Sequence, residues 1–129
     1  MSDILSPRDL AATLTEFWSP RIIAEVDDVY VKVAKIHGTL TWHKHENEDE
    51  LFLILKGQLR IEMEDKVVEL SEGEMFVVPR NVSHNPVAEQ ECHVLLIERK
   101  STQHTGEVVT AKTRSLAEQL EGGIKNGVC

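Results

Sequence analysis

The sequence predicts an all-β protein, a closed sandwich or barrel, with a short helix at each end. Short apolar runs alternate with glycine, proline and acidic turn residues along most of the chain. In several runs the apolar residues recur at every second position, which is the period of a half-buried strand. Many short strands at this spacing favour a closed sheet, because closure removes unpaired strand edges.

The first predicted element is a helix over residues 7–18. Ser6 is expected to cap it, with Pro7 at the first helical position and Asp9 as the reciprocal capping partner. The apolar residues on its predicted inner face are Leu10, Leu14, Phe17 and Trp18. This face predicts that the helix packs on the outside of the main body.

The predicted barrel core covers about residues 22–100. Two stretches, 29–34 and 59–64, alternate between apolar and polar side chains and are expected to be strands with one solvated face. Other apolar runs expected to form strands are 51–55, 67–70, 75–78 and 94–97. Together these stretches supply the strands that a closed sheet requires.

A second short helix is predicted over residues 115–121. Ser115 and Glu118 have the spacing of a capping box, and Gly122-Gly123 is expected to end the helix. The tail over residues 122–129 is expected to be disordered. Residues 1–129 are therefore interpreted as a single domain, a size that buries one core without disulfides.

Charge and hydropathy exclude several classes of partner. The 129 residues carry 14 basic and 22 acidic side chains, a formal net charge of −8. This charge repels phosphate backbones and anionic lipids, so neither nucleic acid nor a membrane is an expected partner. No signal-peptide pattern or long apolar stretch is present, which predicts a cytoplasmic location.

The residues that suggest chemistry begin with His43 and His45. On an extended strand two such residues point to the same side, with Cα atoms roughly 6.6 Å apart, so both imidazoles could bind one ion. A turn over residues 46–49 would return Glu50 to the start of the next strand, where its carboxylate offers an oxygen ligand. His84 joins them only if the fold brings its turn over this hairpin.

The pattern around these residues resembles the two sequence motifs of the cupin superfamily. Eight motif positions are filled in order, by Gly38, His43, His45, Glu50, Gly57, Gly73, Pro79 and His84. The gap between Gly38 and His43 is one residue shorter than in the motif. Asn81 replaces a motif glycine, and asparagine tolerates the left-handed conformation that glycine adopts there. Ala88 stands in place of the final motif asparagine.

The resemblance is to small single-domain bacterial cupins, including proteins often labelled mannose-6-phosphate isomerase-like. It implies a double-stranded β-helix, or jelly-roll barrel, in which His43, His45, Glu50 and His84 hold one divalent metal ion. Three imidazoles and a carboxylate suit Fe, Mn, Ni, Co or Zn. Family resemblance also implies a homodimer. A barrel that has lost its metal is the alternative to this site.

The first hypothesis is a metalloenzyme that acts on a small organic molecule, of oxygenase or isomerase type, with Glu50 as a candidate base. One alternative is a non-catalytic module that binds or senses a sugar or carboxylate, and another is sugar-phosphate isomerase-like activity. Phe52 and Arg80 are the expected substrate-pocket residues. His104 is predicted to be a surface or loop residue outside the site, and no inserted lid is expected between Gly57 and Gly73.

Overall fold

Seven strands and two short helices make up the protein, in a computed structural model that describes residues 4–106 and 108–120. In chain order they are α1 (Pro7–Ala12), β1 (Arg21–Val26), β2 (Val29–Thr39), β3 (Glu50–Lys56), β4 (Leu59–Met63), β5 (Val67–Leu70), β6 (Met75–Val78), β7 (His84–Arg99) and α2 (Leu116–Leu120). The predicted strands are therefore all present, and the tail over residues 122–129 lies outside the described residues.

Strand β7 organises the barrel. It is 16 residues long and pairs antiparallel with β2, β3 and β4 at different parts of its length. The main sheet has the order β1-β2-β7-β3-β6, and β4 also pairs with β5. This antiparallel arrangement confirms the jelly-roll barrel, because one long strand carries two groups of partners around a common interior.

The barrel interior is mostly apolar. Its largest fully buried apolar side chains include Ile22, Ile54, Leu59 and Ile61. Strand β2 differs from the expected pattern, because the side of the strand that carries Lys32 faces inward and Lys32 is only 2% exposed. The alternation in residues 29–34 predicted a strand correctly, but the side that carries its lysine is not solvated.

The N-terminal helix is shorter than the predicted span of residues 7–18, because α1 ends at Ala12. Phe17 instead forms a parallel bridge with Lys35 of β2, and the Trp18 N–H donates to the Lys35 carbonyl at 2.9 Å. Trp18 has φ of +59°, which no right-handed helix contains. Pairing with the sheet therefore replaces the last turns of the predicted helix.

The two helix starts differ in their capping. Ser6 occupies the N-cap position of α1, but its side chain makes no capping hydrogen bond with the described residues. At α2 the predicted capping box is present: the Ser115 N–H donates to Glu118 Oε1 at 2.9 Å, and the Glu118 N–H donates to Ser115 Oγ at 3.2 Å. The predicted end of this helix at residue 121 lies outside the described residues.

The chain between β7 and α2, residues 100–106 and 108–115, is here named the C-terminal segment. Ser101 Oγ donates to Glu48 Oε2 at 2.7 Å, and the Lys112 ammonium donates to the Thr39 carbonyl. These bonds hold the segment against the loop between β2 and β3. No helix in the described part of the chain is both long and apolar enough to cross a bilayer.

Candidate metal centre

The loop between β2 and β3 carries His43 and His45. The two imidazole rings lie with centroids 5.1 Å apart, edge to face. His43 forms an isolated bridge with His84 and does not belong to a regular strand, in contrast to the extended strand that the sequence suggested. His43 and His45 are two positions apart, and their rings still lie next to each other. The bridge to His84 fixes the backbone at His43.

A turn before β7 brings the third imidazole. Asn81 has φ of +63°, the left-handed conformation expected for its motif position, and its N–H donates to the His45 carbonyl at 2.7 Å. His43 and His84 then exchange both backbone hydrogen bonds, at 3.0 and 2.9 Å. These bonds bring residues some forty positions apart into contact, with the His43 and His84 ring centroids separated by 4.5 Å.

The four residues His43, His45, Glu50 and His84, here named the candidate metal cluster, come together in the barrel. One ligand atom from each lies within 4.8 Å of the others. All four side chains are buried. Glu50 Oε1 is 3.3 Å from His45 Nε2 and 3.4 Å from His84 Nε2. This arrangement could hold a metal ion, as the sequence predicts.

The polar atoms of this cluster fit a cation. His43 Nδ1 bonds to the Thr41 carbonyl and His84 Nδ1 to the Val82 carbonyl, each at 2.9 Å. Because a carbonyl only accepts, both Nδ1 atoms carry the proton and both Nε2 atoms keep a free lone pair. Within the described chain, His45 Nε2, Glu50 Oε1 and His84 Nε2 are buried without a hydrogen-bond partner. Such atoms cost free energy unless something coordinates them.

Burial also sets the protonation of the cluster. Burial lowers the pKa of His43 to about 4, and the neighbouring His84 adds to the effect. Burial by itself raises the pKa of Glu50, but contacts with His45 and His84 outweigh it, so this pKa lies well below its usual range. A neutral imidazole and an ionised carboxylate are the forms that bind a divalent metal.

Comparison with known proteins agrees with this geometry. The model of the cupin domain family matches residues 29–98, which include all four residues of the candidate metal cluster. The chain belongs to the cupin family. The match begins at the first residue of β2 and ends within β7, so it covers the strands that surround the cluster.

Three relatives illustrate the range of this cupin family. The crystal structure of a cupin-2 domain protein from Shewanella frigidimarina matches this fold with a TM-score of 0.72. The two sequences are 38% identical, and the match covers 74% of this chain and 94% of that one. The uncharacterised protein YdbB of Bacillus subtilis is 32% identical over 82 residues, 63% of this chain and 73% of YdbB. A 3-hydroxyanthranilate 3,4-dioxygenase 2 of Aspergillus fumigatus is 34% identical over 82 residues. That match covers 59% of this chain and only 43% of the dioxygenase.

A small cavity, here named the inner cavity, adjoins the candidate metal cluster of this cupin. Its volume is about 30 Å³. Its lining consists of Trp18, Pro20, Ala34, Ile36, Leu40, His43, Glu50, Phe52, Pro86, Val94, Leu96 and His104. Phe52 therefore lies where the sequence predicted a pocket residue.

Two sequence predictions about the pocket differ from the structure. Arg80 lies at the surface, where its backbone N–H donates to Asp49 Oδ1 at 2.8 Å, and it is not among the residues that line the inner cavity. His104 is in a loop, as predicted, but it lines the cavity beside His43 and Glu50. The C-terminal segment brings it there, and no local sequence pattern marks that long-range packing.

Sequence reasoning also missed a buried charge network beside Glu50. Lys32 Nζ lies 2.6 Å from Glu98 Oε1 and also donates to the Gln119 side-chain oxygen of α2. Glu98 is the cross-strand neighbour of Glu50. Burial raises the pKa of Glu98 well above its usual range, and the charge of Glu50 raises it further, with Lys32 opposing. The signal available in the sequence was the position of Lys32 and Glu98, two charged residues next to apolar residues of predicted strands.

Proposed function

We propose that this cupin is a metal-dependent enzyme that acts on a small organic molecule. The observation that carries the proposal is the buried set of three imidazoles and one carboxylate, with unpartnered Nε2 and Oε1 atoms, next to an apolar cavity. Purely structural zinc sites favour thiolates, whereas the only cysteine described, Cys92, is not in the cluster.

The four residues are the proposed ligands of one divalent ion. Iron, manganese, nickel, cobalt and zinc all accept nitrogen and oxygen donors of these kinds. When bound to these four residues, such an ion would supply Lewis-acid chemistry toward a substrate oxygen. The carbonyls of Thr41 and Val82 orient His43 and His84 for this role, because they hold both Nδ1 protons away from the cluster.

The residues of the chain have separate proposed roles. Glu50 is the candidate base, because its carboxylate is ionised at neutral pH and lines the inner cavity. Phe52 and Trp18 line the inner cavity and exclude water from the substrate. The polar cluster and the apolar wall together favour a small molecule that carries oxygen atoms.

Oxygenase chemistry is the favoured reaction type. Its support is the relative named as a dioxygenase, which is 34% identical over 82 residues. Sugar-phosphate isomerisation has less support, because a phosphate requires a cationic clamp. No lysine or arginine lines the inner cavity in the described part of the chain, and Arg80 pairs with Asp49.

Metal analysis followed by turnover assays tests the proposal. Protein purified without added metal is expected to contain about one transition-metal ion per chain. The Fe(II)-loaded protein should then consume oxygen with a member of a panel of small phenols, keto acids and hydroxy ketones, and Glu50→Gln should abolish this consumption. Metal binding with ligand-induced thermal shifts but no turnover would indicate a binding module. Absence of metal and of any shift would contradict the proposal.

We also propose that the protein forms a homodimer through the outer face of its sheet. Leu51 pairs with Val77 on one side and Ile97 on the other, so these three apolar side chains share one face. Met75 continues this face and is 60% exposed. Exposed apolar area of this kind is typical of an interface. Light scattering should give twice the chain mass of 14.6 kDa, and Met75→Lys with Val77→Lys should give the monomer.

A further inference from the structure

His104 is the one titratable side chain of the inner cavity that does not belong to the candidate metal cluster, within the described residues. The other polar group in the wall, the indole N–H of Trp18, already donates to the His37 carbonyl at 2.8 Å. Every remaining wall residue is apolar. Outside the candidate metal cluster, the imidazole of His104 is therefore the side chain of this lining, among the described residues, that could hydrogen-bond to a molecule in the cavity.

A backbone contact determines the tautomer of this imidazole. The Arg114 N–H donates to His104 Nδ1 at 2.9 Å. Because Nδ1 accepts, the proton of the neutral ring is on Nε2. Burial lowers the pKa of His104 to about 4, which keeps the ring neutral at physiological pH. Nε2 has no hydrogen-bond partner among residues 4–106 and 108–120, so its N–H is available to a ligand.

The backbone on both sides of His104 is held in place. The neighbouring Thr105 is fully buried, and its Oγ1 bonds to Thr113 Oγ1 at 2.7 Å and to the Val108 carbonyl. Gly106 packs so closely on the loop of the metal cluster that an added Cβ would lie 2.1 Å from the Lys44 carbonyl oxygen. His104 is thus positioned before any ligand binds, which reduces the entropic cost of using it.

We propose that His104 is a substrate-binding residue, which donates its Nε2 hydrogen to a hydroxyl or carbonyl oxygen of a small uncharged molecule. This inference rests on the proposed function and names its substrate class. The cavity volume of about 30 Å³ disfavours a large molecule. The apolar wall and the absence of lysine and arginine from the described lining disfavour a phosphorylated molecule.

The tautomer can be tested on the metal-free protein. Long-range ¹H–¹⁵N correlation spectra at pH 7 should show His104 with a protonated Nε2 and an unprotonated Nδ1. His104→Gln assigns the signal by its absence, and the exposed His37 provides a comparison ring. A His104 ring that is protonated on Nδ1, or that is a mixture of tautomers as His37 is expected to be, would overturn the inference.

Binding of a defined probe tests the role itself. Acetohydroxamic acid is small, uncharged at neutral pH and carries two adjacent oxygens, and glycerol 3-phosphate is the charged comparison. Both are titrated into Co(II)-loaded protein and followed by the visible cobalt spectrum. Loss of the hydrogen bond in His104→Phe should weaken acetohydroxamic acid about tenfold, and His104→Gln, which keeps an N–H donor, should recover most of the loss. His37→Ala should bind as the wild type does.

The outcomes separate the two proposals. Cobalt retained by all variants, with equal probe affinity in His104→Phe and wild type, overturns the role of His104 and leaves the metal site intact. Glycerol 3-phosphate binding as tightly as acetohydroxamic acid overturns the substrate class. If wild-type protein does not retain cobalt, the proposed function itself fails. A His104→Phe variant that fails to fold leaves His104→Gln and the tautomer measurement as the deciding tests.

Discussion

The inner cavity has two sides that are built differently. One side is the candidate metal cluster, which strand pairing and a tight turn hold together through backbone hydrogen bonds between His43 and His84. The other side is the C-terminal segment, which has no regular secondary structure before α2 and is held mainly by side-chain contacts. The proposed metal ligands and the proposed substrate contact therefore belong to separate parts of the molecule, which mutations can test separately.

The largest effect is expected from His84→Ala, a substitution in the candidate metal cluster. The variant removes one proposed ligand, so metal content should fall from about one ion per chain to background. The melting temperature of the loaded protein should fall as well, because a bound ion stabilises only the folded state. Elemental analysis and thermal melts measure both effects, with His37→Ala as the control. Equal metal content in the two variants would remove the site assignment.

Lys32→Met should weaken the packing of α2 on the barrel. Lys32 joins Glu98 of β7 to Gln119 of α2, and its loss leaves a buried carboxyl without a partner. A buried polar group that is left unsatisfied costs about 1–3 kcal/mol of the free energy of unfolding. Urea denaturation should show this loss, whereas Lys66→Met on the exposed surface should change stability little. The double variant Lys32→Met with Glu98→Gln should recover part of the lost free energy of unfolding. A Lys32→Met variant as stable as the wild type would contradict the role of the network.

The pH dependence of the metal-free protein involves both sides of the cavity. His43 and His104 each have a pKa of about 4 in the folded protein against 6.5 ordinarily. Between these pH values the unfolded chain binds protons that the folded protein does not, so stability is retained above about pH 6.5 and falls as the pH drops to 4. The loss is up to about 3 kcal/mol for each histidine.

Urea denaturation at a series of pH values measures this effect. His104→Gln should remove one of the two contributions and flatten the decline by about half. A free energy of unfolding that falls as steeply in His104→Gln as in the wild type between pH 6.5 and 4 would show that the His104 ring is not buried as described.

The smallest expected effect concerns the contact between the two sides. Gly106→Ala puts a Cβ against the Lys44 carbonyl and should cost about 1–3 kcal/mol, with faster hydrogen exchange in the C-terminal segment. Gly73→Ala is a matched control, because Gly73 also has a positive φ, of +82°, but an added Cβ meets nothing within 4 Å. The difference in free energy of unfolding between the two variants measures the contact of residue 106 with the Lys44 carbonyl. Metal content should be unchanged in both.

The sequence predicted much of this arrangement. Apolar alternation located the strands, the spacing of His43, His45 and Glu50 indicated the cluster, and Asn81 adopts the left-handed conformation expected of it. The predicted length of α1 was wrong, because the pairing of Phe17 with Lys35 outweighs the local preference for helix. His104 was placed outside the site, because a histidine in a polar loop carries no local signal of what the loop covers.

Local chemistry is what the sequence by itself determined: which residues form strands, which turn needs a left-handed residue and which side chains suit a cation. The strands and the spacing of His43, His45 and Glu50 depend on neighbours within a few positions, whereas the turn at Asn81 and the role of His84 were indicated by the resemblance to the cupin motifs. Only the tertiary structure decided that Lys32 lies inside the barrel, that Glu98 lies beside Glu50 and that His104 lines the cavity. Those facts depend on packing between distant segments, which periodicity does not encode.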